Sequence, residues 1–284
     1  MSKLAKIWLI VALVLIISGS VIFASVMTVN GWDFTKLSTM EYVTNTYEHV
    51  GKINNIIIET STADITLEFQ VVSYPYGRVE CYEMEKAQHS VSFEDGNLVI
   101  KEVDNRKWYD YIGINFDTTK ITVCLPHSWF DNVTIKTSTG DVQVKSLCGT
   151  TINISVTTGD TTLTDVQCNN LSCTGSTGDV TFANLQCDNL ICTGSTGDVT
   201  LSNVVGKEDL TVVRSTGDVA LNDCDAATIS VRVATGDVTG NLLSGKIFNV
   251  NSSTGTIAVP ENSPGGICNI TTTTGDIHIT ANMN

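Results

Sequence analysis

Residues Asn170–Asp188 read NLSCTGSTGDVTFANLQCD, and the next nineteen, Asn189–Lys207, read NLICTGSTGDVTLSNVVGK. The two stretches match almost letter for letter, and chance does not produce such a pair. Working outward, Thr-Gly-Asp recurs at Thr139-Gly140-Asp141, Thr158-Gly159-Asp160, Thr177-Gly178-Asp179, Thr196-Gly197-Asp198, Thr216-Gly217-Asp218, Thr235-Gly236-Asp237 and Thr274-Gly275-Asp276. An eighth copy, Thr254-Gly255-Thr256, has lost its Asp; successive steps are 19, 19, 19, 20, 19, 19 and 20 residues. Internal repeats at such a period mean stacked units.

Apolar residues alternate within each copy: Leu171, Cys173, Val180 and Phe182 in one, Leu190, Cys192, Val199 and Leu201 in the next. That period of two belongs to half-buried strands broken by a polar turn. One unit cannot bury its own apolar face, so units must stack, each about 4.8 Å above the last. The spacing predicts an all-β fold, a β-solenoid (β-helix) of 19–20-residue repeats over 139–284, with two or three sides per coil. Gly140, Gly159, Gly178, Gly197, Gly217, Gly236, Gly255 and Gly275 are the structural turns, because Gly adopts φ > 0 without strain.

The region 51–138 also reads as β, an irregular part that caps the solenoid. Val91 and Phe93 pair with Leu98 and Ile100 across Asp95-Gly96, a strong hairpin turn. Ile112, Ile114 and Phe116 are expected to face Ile121, Val123 and Leu125. Ser61-Thr62-Ala63-Asp64 looks like a decayed repeat turn, 77 residues or about four periods before Thr139-Gly140-Asp141.

The N-terminus is an address. Residues 1–6 form a short basic tail, and residues 7–27 carry no charge, enough for about 31 Å of helix, close to the thickness of a bilayer. Lys3 and Lys6 place that end in the cytoplasm and the bulk of the chain outside, behind a single-pass transmembrane signal-anchor. The competing reading is a cleaved signal peptide with Ser18-Gly19-Ser20 at its cut. Residues 28–50 read as a tether. The chain has 16 Lys+Arg against 30 Asp+Glu, a net charge of −14. That balance argues against nucleic acid and against an electrostatic grip on anionic lipid.

The layout resembles a bacterial putative-adhesin family of uncharacterised β-strand-repeat proteins that includes LiaG-like cell-envelope proteins. The resemblance rests on the N-terminal anchor, INNIIIETSTADITLEF (53–69), VSFEDGNLVI (91–100), ITVCLP (121–126) and the repeated STGDV. It implies a β-solenoid ectodomain on the cell surface, linked in some relatives to envelope stress, and supplies no catalytic residue.

Three features carry candidate chemistry. Stacked turns place Asp141, Asp160, Asp179, Asp198, Asp218 and Asp237 in one column. Calcium would neutralise it, since hard cations favour carboxylates; the plainer reading is that each Asp caps N–H groups of its own turn. Nine cysteines include Cys168-x4-Cys173 and Cys187-x4-Cys192, one repeat apart. They read as apolar filler, with a disulfide ladder or a thiolate metal site as alternatives. Trp108, Tyr109 and Tyr111, beside Arg106 and Lys107, form either a ligand patch or packing over a solenoid end; Trp129-Phe130 is read as sealing the junction between irregular and regular coils. His49, His89, His127 and His278 are scattered, no nucleophile elbow or phosphate loop occurs, and only Arg214 and Arg232 stand near repeat turns. The expectation is therefore no enzyme, no cofactor, no metal and no nucleic-acid partner: a surface binding module with an unknown envelope ligand. The alternatives are a self-associating envelope protein that pairs through its last coil, near 278–284, or a polysaccharide-active β-helix.

Overall fold

The computed structural model describes residues 2–34, 40–70, 76–111 and 117–282. The expected strand at Ile112, Ile114 and Phe116 lies outside them. Two compact units emerge, Met1–Tyr42 with Asn105–Asp117, and Val43–Asp104 with Thr118–Asn284.

The first unit is built on α1 (Lys3–Val29), 27 residues whose Ser2 side chain caps the start by accepting the Ala5 N–H. Its mean hydropathy is 2.8 over the most apolar window, none of which is buried. The helix is long and apolar enough to cross a membrane, and a signal sequence meets the same test. It runs two residues past the expected boundary at Met27. The expected tether is likewise shorter, because β1 (Tyr42–Val50) occupies its end.

The second unit is all β, its strands joined in one sheet. Its centre is β10 (Cys148–Thr158), β11 (Thr161–Thr177), β12 (Val180–Thr196) and β13 (Val199–Thr216). They pair in parallel with a 19-residue offset, which becomes 20 beyond Cys187 where β12 meets β13: Leu171 lies against Leu190 and Cys173 against Cys192. Burial parity explains the path of each copy. Val180 and Phe182 point inward, then Leu185 and Cys187, then Leu190 and Cys192. Parity therefore changes twice, and each copy has three straight stretches. One change occurs at Asn184, whose φ is +54°, in line with Ser146, Asp165, Asn203 and Asp223 at φ of 53–60°. Short Asn and Asp side chains tolerate that left-handed corner better than other non-glycine residues.

Chain order and stacking order part company at both ends. At the first, β2 (Asn55–Thr62) and β3 (Asp64–Gln70) lie directly against β8 (Trp129–Thr139) and β9 (Val142–Lys145). The 77-residue separation is therefore one step of the stack rather than four. Strands from between them form the outer layer: β6 (Asn97–Asp104) and β7 (Lys120–Pro126) pair in parallel with β2 and β3. β5 (Ala87–Glu94) then pairs antiparallel with β6 through the expected Asp95-Gly96 turn. β4 (Tyr76–Met84) pairs antiparallel with β7, and β1 joins β4.

At the other end the order is β14 (Val219–Cys224) with β15 (Thr228–Thr235), and beside β14 and against the next layer β16 (Val238–Leu242). Next come β19 (Ile267–Thr274) and β20 (Ile277–Ala281), and outermost β17 (Ile247–Thr254) and β18 (Ile257–Ala258). The expectation that the last coil is the exposed one is thus corrected. Residues 267–281 are covered on both sides, and the terminal edge belongs to 247–258.

Candidate functional site

The Thr-Gly-Asp turns stack in one column, and their chemistry is turned inward on the fold. The Asp160 N–H donates to Asp141 Oδ1 at 2.9 Å, Asp179 to Asp160 at 2.8 Å and Asp198 to Asp179 at 2.8 Å. The ladder begins at Asp64, which accepts from Asp141, and continues through Asp218 and Asp237 to Asp276. Each carboxylate therefore caps the turn of the neighbouring layer rather than its own. Asp276 accepts the Thr256 N–H at 2.7 Å, and that bond holds its carboxyl below the ordinary range. Thr256 stands in the outermost layer, with no further turn to cap. The missing Asp is where the ladder ends.

Glycine has a second reason to occupy this column. At Gly178 φ is +136°, and a Cβ would also overlap the carbonyl of Gly159 in the layer below. Among the described residues no three carboxylates of the column bring oxygens within 4.8 Å of one another.

All nine cysteines are free thiols, seven of them buried. Burial pushes Cys224 and Cys268 up to about 12. Cys173 and Cys192 lie directly above one another, and the hydrogen bond between them raises the pKa of Cys173 and lowers that of Cys192. Arg214, read from sequence as standing near a surface turn, is 2% exposed. Its guanidinium fills the space left by Gly194 and reaches Cys192 Sγ at 3.9 Å.

The aromatic patch divides. Trp108 is 76% exposed and Tyr109 48%, with Lys107 Nζ 5.8 Å from the Tyr109 ring centre, so these rings seal no core. The Tyr111 side chain lies outside the described set. At the other aromatic pair, Phe130 is buried, whereas Trp129 is half open and donates Nε1–H to Thr150 Oγ1 at 2.9 Å. Trp129 borders a shallow groove of about 440 Å³ together with Gln167, Asn169, Gln186, Asp188 and Lys207. An aromatic face flanked by amides can stack on and hydrogen-bond a neutral polar ligand.

A third constellation was invisible as a motif. Cys81 and Glu83 lie two apart on β4, and His89 on β5 meets them across the short turn; all three are buried. Glu83 Oε2 accepts the His89 backbone N–H at 2.7 Å and Nδ1 at 2.6 Å, while its Oε1 accepts Asn45 Nδ2 at 2.7 Å. His89 Nε2 lies 3.0 Å from Thr60 Oγ1, whose hydroxyl donates to Glu102 at 3.4 Å. Hydroxyl, imidazole and carboxylate thus lie in a row, but the hydroxyl proton is directed at Glu102 rather than at Nε2, so the proton path of a nucleophilic relay is not formed. The adjacent Ser61 N–H, which could serve as an oxyanion donor, is bonded to Glu102 at 2.6 Å. Burial, reinforced by the charges of Glu83 and Glu80, pushes the Cys81 thiol up to about 12. Burial raises Tyr47 as well, and Glu83 and Cys81 add to that shift. The sequence signal is the alternation Cys-x-Glu followed by His, which fits no recognised metal-ligand spacing.

The family described as Toastrack DUF4097 matches residues 53–186 and 176–284. Among solved structures, the chain is similar to a putative adhesin from Bacteroides fragilis NCTC 9343, with TM-score 0.53 and 16% identity over 85% of this chain and 97% of that one. It is also similar to a putative lipid binding protein from Parabacteroides distasonis ATCC 8503, with TM-score 0.52 and 18% identity over 85% and 98% of the two chains. At such identities the likeness is one of fold. No curated protein matches the chain.

Proposed function

Because this chain belongs to the Toastrack DUF4097 family, we propose that it is a non-enzymatic, membrane-anchored β-solenoid that displays a binding surface outside the cell. The parallel layers at 19-residue offsets support the solenoid, and α1 with Lys3 and Lys6 at its N-terminal end supports an anchor whose N-terminus is cytoplasmic. The repeated Asp residues are engaged in layer-to-layer bonds, so the repeats serve as scaffold. What carries the binding assignment is the Trp129 groove, an exposed indole beside Gln167, Asn169 and Gln186. This chemistry suits an uncharged or weakly basic envelope glycan better than an acidic polymer, which the net charge would repel. The names carried by the two solved relatives, adhesin and lipid binding, agree with a role at the cell boundary.

The test has two arms on full-length protein. Membrane extraction and protease treatment of intact cells should leave α1 in the bilayer and digest the repeats from outside. Binding of the reconstituted protein to purified envelope glycans should fall at least tenfold in Trp129→Ala with the melting transition unchanged. Equal binding by that variant moves the surface elsewhere, and cleavage of the glycans would replace the binding reading with an enzymatic one.

Self-association is the second reading, now placed at β17–β18 rather than at 278–284. This terminal edge exposes Ile247 (49%) and Ile257 (44%). An open strand edge is a template for pairing, and concentration-independent monomers in light scattering would remove the idea.

A further inference from the structure

We propose that Cys81, Glu83 and His89 form a zinc-type divalent metal site inside the end layer built by β4 and β5. Their ligand atoms, a thiol sulfur, a carboxylate oxygen and an imidazole nitrogen, all lie within 4.8 Å of one another. This set of a soft thiol, a borderline imidazole and a single hard carboxylate suits zinc rather than calcium or magnesium. Residues around the three hold them as outer contacts hold metal ligands. Asn45 binds Glu83 Oε1, and Thr60 faces His89 Nε2, so Nδ1 points at Glu83.

Charge counting favours the ion as well. Glu83 and His89 are 0% and 4% exposed in a layer whose neighbours include Val79, Leu98 and Ile100. A buried carboxylate there needs a cation. An imidazolium can balance Glu83, but it leaves the Cys81 thiol without a purpose beyond filling space. A divalent ion with one thiolate and one carboxylate is neutral overall, which is the state a dry site tolerates. On loading, the metal takes the place of the proton between Nδ1 and Glu83 Oε2. The Cys81 thiol gives up its proton too; an imidazolium loses its Nδ1 proton and a neutral imidazole moves it to Nε2, so two protons or one leave for each ion that enters, and no electron moves. The three ligands leave one position for a further donor; the half-buried Tyr47 hydroxyl lies 3.5 Å from the His89 carbonyl.

Full-length protein, stripped with a chelator, would be titrated with zinc and with cobalt, both folded and during refolding so that burial cannot hide the site. The expected result is one ion per chain, one or two protons released and a near-ultraviolet thiolate-to-cobalt band. The band should vanish in Cys81→Ser and His89→Gln and survive in Cys124→Ser and Cys148→Ser, the two half-buried thiols. Asn45→Ala should weaken binding about tenfold, within the range seen for outer contacts, and it keeps the test alive if a ligand variant fails to fold. No bound ion in either arm, or a cobalt band that persists in Cys81→Ser, overturns the site and leaves a buried ion pair only.

Discussion

The two ends of the stack solve one problem in opposite ways. Any pile of parallel strands ends in an unpaired edge. The end nearer the N-terminus turns the strands around: β4 and β5 run antiparallel to β7 and β6, and the hairpins enclose polar residues such as Glu83 and His89. The far end keeps the parallel direction and blunts the edge piecemeal. Asn262 accepts the Phe248 N–H at 2.8 Å, and the Ser263 N–H donates to the Lys246 carbonyl at 3.0 Å. Lys246 itself is 1% exposed and bonded to Asp225, Ser244 and the Gly265 carbonyl. One end is remade as a different architecture; the other is the regular architecture with its last polar groups plugged. The first can host a polar centre, and the second retains a sticky edge.

Deleting residues 267–284 should break that comparison most forcefully. It withdraws the layer beneath β17 and β18, so both terminal layers should lose hydrogen-exchange protection together while β2 and β3 keep theirs. Protection that persists at 247–254 would mean the stacking order is wrong.

The next effect compares middle with edge. Gly178→Ala forces an L-residue into φ +136° against a backbone carbonyl and should cost about 3 kcal/mol of stability by denaturant unfolding. Gly255→Ala meets the same kind of overlap, with the Gly275 carbonyl, but only in the outermost layer. It should fray that layer and cost about 1 kcal/mol or less globally.

Alkaline pH should reach both ends alike. In chelator-stripped protein, burial pushes the Cys81 and Cys268 thiols up to about 12 from an ordinary 9.0. A raised pKa gives stability that is fully present below the unfolded value and lost as pH climbs through the folded one. Melting temperature should therefore fall between roughly pH 9 and 12, and less steeply in Cys81→Val or Cys268→Val. An equal slope in both variants would remove the thiols from the explanation.

The smallest contrast lies in the Asp ladder. Asp179→Ala strands the Asp198 N–H and should cost about 1 kcal/mol. Thr256→Asp adds a carboxylate with nothing beyond it to cap and should stay within about 0.5 kcal/mol of wild type. A stabilising Thr256→Asp would show that a partner already sits on that edge.

The turns at Gly140 through Gly275 and the alternation of Leu190, Cys192, Val199 and Leu201 were legible because each depends on local geometry that the sequence repeats. The second corner was equally legible, since Ser146, Asp165, Asn184, Asn203 and Asp223 recur at 19 or 20 residues, but no glycine marked it. Stacking order was not legible. Repeats with interchangeable apolar faces do not say which copy touches which, and the 39-residue reach from Asp237 to Asp276 has no local signature. Only the lost Asp at 256 betrayed it. The buried trio escaped for a related reason: its members are close through a turn and two strand faces, a proximity no spacing rule encodes.

The ladder also has a direction. Every Asp passes its carboxylate to the neighbour on one side, so one end begins with an acceptor at Asp64 and the other finishes without one at Thr256. Each end is further locked by a layer inserted out of chain order. Such a molecule can lengthen only from its middle, where an extra copy meets identical neighbours above and below. The two stretches that match almost letter for letter, 170–188 and 189–207, sit in that permissive interior. They have the character of a recent duplication, and adding a third should yield a taller protein with the same two ends.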